Sequence, residues 1–274
     1  MNNNPLRQYF RRPALHLTLP SKGSYYPPGA IDIPETGELP VYPMTAIDEI
    51  TSKTPDALFN GSAVADIIKS CIPSIKDPWS VPNMDLDAIL VSIRAATNGS
   101  DLEIDSVCPK CENEGKYGIN LIQLLSTIKA DDYSNPLRIG ELQIKFRPLS
   151  YKEVNDGNLA QFQMQREIAA MQAIEDEDAR QAKSSEIMKM ITKINMRLIS
   201  STIESISIND DLVTNREFIQ EFLEHCDRNA YENVRTQVAK IRENSTTKPQ
   251  KIKCINCSHE YEQALALNIT DFFD

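Results

Sequence analysis

The sequence predicts an α+β fold, mainly helical, built as a split four-cysteine ribbon with a large, mostly helical insertion and an extended N-terminal arm. Three observations predict it. Cys108-Pro109-Lys110-Cys111 and Cys254-Ile255-Asn256-Cys257 are short cysteine pairs, each set between strand-like segments. Apolar residues at helical spacing dominate the chain between them. The arm, residues 1–44, carries proline at positions 5, 13, 20, 27, 28, 34, 40 and 43, which fixes φ, removes donors and excludes long helices.

Within the arm, Leu15-His16-Leu17-Thr18-Leu19 alternates apolar and polar, predicting one short strand with His16 on its solvent side. The next segment, 45–128, is helical and ends with the first cysteine pair. Thr45, with Asp48 and Glu49 three and four residues on, has the arrangement of a helix cap. Thr54-Pro55-Asp56 opens another short helix, because proline suits a first turn. Residues 61–71 and 83–97 complete the set; in the latter Leu86, Ile89, Leu90 and Ile93 form one apolar stripe, and Asn98-Gly99 stops it. Asp85 and Asp87 fall in its first turn, where the helix dipole favours acids, so they are read as helix-start residues and not as a metal site. Strands over 102–107 and 117–121 bracket the first pair, and an apolar stretch over 121–128 follows.

Residues 129–250 hold hairpins and the helical insertion. Residues 137–146 alternate around Gly140-Glu141, which predicts a β-hairpin. A helix over about 151–174 is separated by Glu175-Asp176-Glu177-Asp178 from a second, where Ile187, Met190, Ile191, Ile194 and Leu198 recur at 3, 4 and 7. The methionines at 164, 171, 188, 190 and 196 are read as core filler. Residues 203–208 and 212–213 flank Asn209-Asp210-Asp211 as a second hairpin. Asn215 caps a helix bearing Phe218, Phe222 and Leu223, and Tyr231, Val234, Val238 and Ile241 mark the last one. A polar linker over 245–250 returns the chain to residues 251–274, where strands over 251–253 and 261–265 bracket the second pair.

Zinc takes four tetrahedral ligands and both thiolates of a Cys-x-x-Cys turn can face one ion, so two such turns close one shell. Cys108, Cys111, Cys254 and Cys257 are therefore the expected ligands of a structural Zn2+ in a zinc ribbon, with no position left for a catalytic water. The gap between the pairs far exceeds the roughly 15–20 residues of a compact ribbon. Loop entropy, however, grows only logarithmically: a roughly sevenfold longer loop adds about 1.7 kcal/mol, against about 10–16 kcal/mol for structural zinc binding. Two other readings stand beside this one, a redox or disulfide pair and two ordinary turns with free thiols. Redox pairs usually open a helix in a thioredoxin-like unit, whereas Glu112-Asn113-Glu114-Gly115-Lys116 reads as a turn. His259 is read as a bystander, and Cys71 and Cys226 as small buried hydrophobes within helical patterns.

A net charge of −10 argues against nucleic acid as the main partner, because phosphate neutralisation needs a basic footprint. No run approaches the roughly 18 apolar residues of a membrane span, and the N-terminus has arginines without an apolar h-region. A cytoplasmic, reducing compartment is expected, which favours zinc over disulfides. Charge is unevenly placed. Before Asp32 there is no carboxylate, only Arg7, Arg11, Arg12 and Lys22, interleaved with Tyr9, Phe10, Tyr25 and Tyr26. Arginine and tyrosine are enriched in interface cores, so the basic arm is expected to dock, on a partner or on another part of the chain. With three histidines, nine glycines, no phosphate-binding glycine loop, no Gly-x-Ser-x-Gly and no His-Glu-x-x-His, no enzyme is expected. The alternative is a zinc-ribbon adaptor or regulator binding nucleic acid through the arm and Lys248, Lys251 and Lys253.

Taken as an ordered set, several motifs resemble a known family. They are Pro20-Ser21-Lys22-Gly23-Ser24-Tyr25-Tyr26-Pro27, Met44-Thr45-Ala46-Ile47-Asp48-Glu49, Thr54-Pro55-Asp56-Ala57-Leu58-Phe59-Asn60-Gly61 and Ile89-Leu90-Val91-Ser92-Ile93-Arg94. Cys108 and Cys111, Phe146-Arg147-Pro148-Leu149-Ser150 and the second cysteine pair follow in order. The set resembles the baseplate hub assembly protein family of T-even-like contractile-tailed bacteriophages and other myoviruses. The resemblance implies a non-catalytic role in building the tail baseplate hub, with other hub or tail proteins as partners. Assembly in the host cytoplasm is expected, followed either by retention in the virion tail baseplate or by release as a transient assembly factor.

Overall fold

The computed structural model describes residues 5–209, 211–245 and 249–264. The fold is α+β, with nine α-helices among the described residues. The chain divides into two units, Met1–Ala130 with Ser245–Asp274, and Asp131–Asn244.

In the first unit β1 (Leu15–Leu17) pairs antiparallel with β2 (Leu39–Val41), setting exposed His16 opposite Pro40. Pro40 obscures β2 as a sequence signal, but a two-stranded sheet has only edge strands, where a missing donor is tolerated. Thr45 caps α1 (Ala46–Ser52): its hydroxyl accepts from the Asp48 amide, and the Asp48 carboxylate accepts from the Thr45 amide at 2.7 Å, a complete capping box. Then come α2 (Pro55–Phe59), α3 (Ser62–Cys71) and α4 (Asn83–Asn98), which stops at Gly99 with φ 93°. The antiparallel strands β3 (Asp101–Val107) and β4 (Glu114–Asn120) lead into α5 (Leu121–Thr127). Leu121, expected at a strand end, instead begins that helix, because the Asn120 side chain accepts from the Gln123 amide at 2.9 Å and caps it. The single stripe expected on α4 is also corrected. Leu86 is half-buried, whereas Met84, Asp85 and every residue from Ala88 to Arg94 are buried. A helix covered on several sides by α3, α5, β1 and β2 buries more than one face.

Arg11 fastens the arm to this unit. Its guanidinium donates to the Pro43 carbonyl (2.6 Å), the Ser70 carbonyl (2.7 Å) and the Ser70 hydroxyl (2.8 Å). It also lies 3.4 Å from Asp48 and over the Tyr42 ring. One side chain thus joins the arm, the α1 capping box and the end of α3, while Arg7 and Arg12 are exposed.

The second unit is built on the sheet β5-β6-β7-β8. The hairpin β5 (Leu137–Ile139) and β6 (Leu142–Phe146) turns at Gly140, whose φ of 58° suits glycine. After α6 (Tyr151–Gln172) and α7 (Glu177–Ser201), β7 (Ile203–Ile208) pairs with β6 and with β8 (Asp211–Val213). Asp210, in the predicted turn, lies outside the described residues. Asn215 caps α8 (Arg216–His225), accepting from the Glu217 amide at 2.8 Å, and α9 (Arg228–Ser245) follows. Ile144, Phe146, Ile203 and Ile206 from the sheet pack with Ile199, Ile219, Leu223, Val234, Val238 and Ile241 from the helices.

The methionine reading needs correction. Met164 is buried, Met171 and Met196 are half-buried, and Met188 and Met190 are exposed, Met188 at 64%. The helices α6 and α7 pair along one seam, so a methionine off that seam meets solvent.

Ser150 and Glu153 form a second capping box at the start of α6, and Arg147 grips both carboxylate oxygens of Glu153. Burial raises the Glu153 pKa, but the hydrogen bonds from Arg147 and Ser150 outweigh it and hold it below its ordinary 4.5. Glu153→Ala removes the carboxylate half of the capping box and takes from the half-buried Arg147 its charged partner, with an expected loss of about 2 kcal/mol in chemical denaturation. The sign with pH follows from the lowered pKa: this contribution is present above about pH 4.5 and is lost as pH falls through the folded pKa. Glu153→Gln should lack that acid step.

Candidate metal centre

The chain returns as β9 (Gln250–Lys253) and β10 (Glu260–Gln263), a second antiparallel hairpin in the first unit. The two cysteine turns repeat one another. The Cys108 amide donates to the Asn113 carbonyl and the Cys254 amide to the His259 carbonyl, each five residues on. The Glu112 and Ser258 amides donate back to the Cys108 and Cys254 carbonyls at 2.9 Å, and both residues are left-handed, with φ of 55° and 57°. Each turn thereby folds its two sulfurs onto one side.

All four sulfurs lie within 4.8 Å of one another. Across the hairpins Cys108 Sγ is 3.7 Å from Cys257 Sγ, and Cys111 Sγ is 3.6 Å from Cys254 Sγ. A tetrahedron with sulfur at about 2.3 Å from its centre has edges of about 3.8 Å. The donor set and its spacing therefore fit a four-thiolate ion such as zinc. Among the described residues no other group of His, Cys, Asp or Glu ligand atoms converges in this way.

The electrostatics also ask for a cation. The Cys257 and Asn256 amides point at Cys254 and bring its pKa down to about 6. The His259 amide favours the Cys257 thiolate too, but burial and the adjacent Cys111, Cys108 and Cys254 sulfurs outweigh it and push Cys257 up to about 12. Four thiolates this close repel one another, and a bound dication removes that conflict.

Polar and aromatic contacts align the hairpins. The Ser106 hydroxyl lies 2.9 Å from the Tyr261 hydroxyl and donates to Gln263 Oε1 at 2.8 Å. Tyr117 meets Tyr261 edge to face, with ring centres 6.5 Å apart. The sequence reading overlooked these residues. The available signal was alternation, because Ser106 shares the inward face of β3 with Leu102.

His259 stacks on Tyr261, outside the sulfur cluster. Cys71 is buried at the end of α3, its thiol pushed up to about 12, chiefly by burial. Cys226 is only half-buried, because it stands at the end of α8 and not within a helix face, which corrects its reading as a buried hydrophobe.

A family model described as T4 bacteriophage base plate protein matches residues 32–274. The chain belongs to that family. This T4-type baseplate protein is thus a phage structural component that works in contact with other structural proteins of the particle. No curated protein and no solved structure matches the chain. No helix among the described residues of the baseplate protein is long and apolar enough to cross a membrane.

Proposed function

We propose that the chain is a non-enzymatic assembly or structural protein of the baseplate hub, stabilised by one structural zinc ion on Cys108, Cys111, Cys254 and Cys257. The convergence of four sulfurs at tetrahedral spacing is the observation that carries the zinc reading. The ion ties residue 108 to residue 257 and closes the two halves of the ribbon around the insertion of residues 129–250. The partners are other hub or tail proteins, met during assembly in the host cytoplasm. Within the arm, 1–44, docking falls to Arg7 and Arg12, since Arg11 is committed within its own unit.

The adaptor alternative gains no support. Lys251 and Lys253 stand opposite Glu262 and Glu260 across their hairpin, which offsets the positive charge a phosphate backbone needs. Lys248 lies outside the described residues.

Elemental analysis of protein purified without added metal should return about one zinc per chain, and less than half an equivalent overturns the zinc reading. Cys71→Ser and Cys226→Ser should leave the zinc content unchanged, because neither sulfur belongs to the cluster.

A further inference from the structure

The turn of residues 21–26 combines three features that a mere connection does not need. Its backbone is strained: Lys22, Gly23 and Tyr25 have φ of 53°, 82° and 70°. Only Gly23 is suited to that region, and a Cβ there would come within 2.0 Å of Ile33 Cδ1. The turn is also locked from beneath. Buried Asp85, at the start of α4, accepts from the Ser21 amide at 2.8 Å, the Ser21 hydroxyl at 2.5 Å and the Tyr26 hydroxyl at 3.1 Å. Ser21 Oγ accepts in turn from the Gly23 amide at 3.1 Å. Finally, the strained residues are displayed. Lys22 is exposed, Tyr25 is 44% exposed, and Ile33 beside Gly23 is 41% exposed. Tyrosine is enriched among the anchors of protein interfaces, and prior ordering lowers the entropy lost on binding.

The charge of the segment says what fits. Residues 1–31 contain no Asp or Glu in a chain of net charge −10. Asp85, the carboxylate to which the turn is hydrogen-bonded, is buried and engaged by three donors. Non-glycine residues persist in the left-handed region where the surroundings over-determine them, and such strain gathers at sites of function.

We propose that the Ser21–Tyr26 turn is a pre-set docking tip which, through Lys22 and Tyr25, engages a carboxylate-bearing face of a neighbouring baseplate protein. The inference rests on the assembly role proposed above and adds to it a contact separate from the arm arginines. Arg11 is bound at Pro43, next to Met44, whose amide donates to Thr97 near the end of α4, whereas Ser21 is bound at the beginning of that helix. A helix of that length places the two points on the order of 20 Å apart.

Lys22→Gly separates docking from folding, because Lys22 is exposed and left-handed. Glycine relieves the left-handed strain, so a turn with a purely structural role should melt at the same or a higher temperature and assemble normally. A docking tip should melt likewise but bind poorly. The other baseplate proteins of the same phage, purified singly, are titrated against the full chain at low and moderate salt. One of them should bind the wild type, more weakly as salt rises. Lys22→Glu and Lys22→Gly should each weaken that binding at least tenfold, Lys22→Gly without lowering the melting temperature. Wild-type affinity in both variants, salt-independent binding, or a loss seen only for duplex DNA or for self-association overturns the docking tip. A wild type that binds none of these proteins overturns the assembly reading with it, so the two failures are distinguishable.

Discussion

Replacing Cys254 with serine is expected to abolish zinc binding, lower the melting temperature steeply and leave little soluble protein. Magnitudes decide this. Each half of the ribbon is a two-stranded hairpin, and such hairpins are marginal in water. The hydrogen bonds that join Ser106 to Tyr261 and to Gln263 contribute about 1 kcal/mol each, and the Tyr117–Tyr261 contact about as much. A four-thiolate zinc supplies about 10 kcal/mol or more, comparable with the whole stability of a domain. Without the ion the hairpins have only those weak contacts to align them, and the remaining cysteines become oxidisable thiols. Baseplate assembly should fail together with folding. Arg7→Ala with Arg12→Ala should instead give a stable, zinc-loaded protein that binds its partner poorly, since both side chains are exposed. If Cys254→Ser melts like the wild type, metal is not what holds the ribbon together.

What could be read from the sequence was what short-range chemistry determines. The caps at Thr45 and Asn215 appear at the predicted residues because a cap concerns an amide only two or three positions away. The hairpin turning at Gly140 was legible for the same reason. That the two cysteine pairs converge was legible across a long gap, because one Cys-x-x-Cys turn is only half of a four-thiolate set. Arg11 shows the opposite case. Its acceptors at Pro43 and Ser70 lie 32 and 59 positions away, and nothing local distinguishes it from Arg7 or Arg12. The surroundings of α4 were equally hidden, since a stripe reports one apolar face and cannot report how many neighbours later cover the others. Asp85 combines both difficulties: its donors, Ser21 and Tyr26, lie 64 and 59 positions away, so a buried anchor reads locally as an ordinary helix-start acid.

Asp85→Ala is accordingly expected to destabilise the first unit by about 3 kcal/mol. The substitution leaves the Ser21 amide, the Ser21 hydroxyl and the Tyr26 hydroxyl without their acceptor in a buried site, at about 1 kcal/mol or more each. Asp85→Asn should lose far less, because its carbonyl oxygen still accepts from Ser21 and its amide group can donate to a rotated hydroxyl. The pair also tests the charge state. Burial pushes the Asp85 pKa above its ordinary 3.8, against the opposing hydrogen bonds from Ser21 and Tyr26. Between the ordinary and the raised value the folded state holds the proton more tightly than the unfolded one, so this contribution to stability is full below about pH 3.8 and falls as pH rises through the folded pKa. The stability advantage of the wild type over Asp85→Asn should therefore be largest in acid and shrink towards neutrality. Glu153, with its lowered pKa, gives the opposite slope in the second unit. Urea titrations of wild type, Asp85→Asn and Glu153→Gln across pH separate the two contributions. An advantage over Asp85→Asn that grows with pH would mean that Asp85 serves as a favourable ionised acceptor and that burial is not the dominant influence on it.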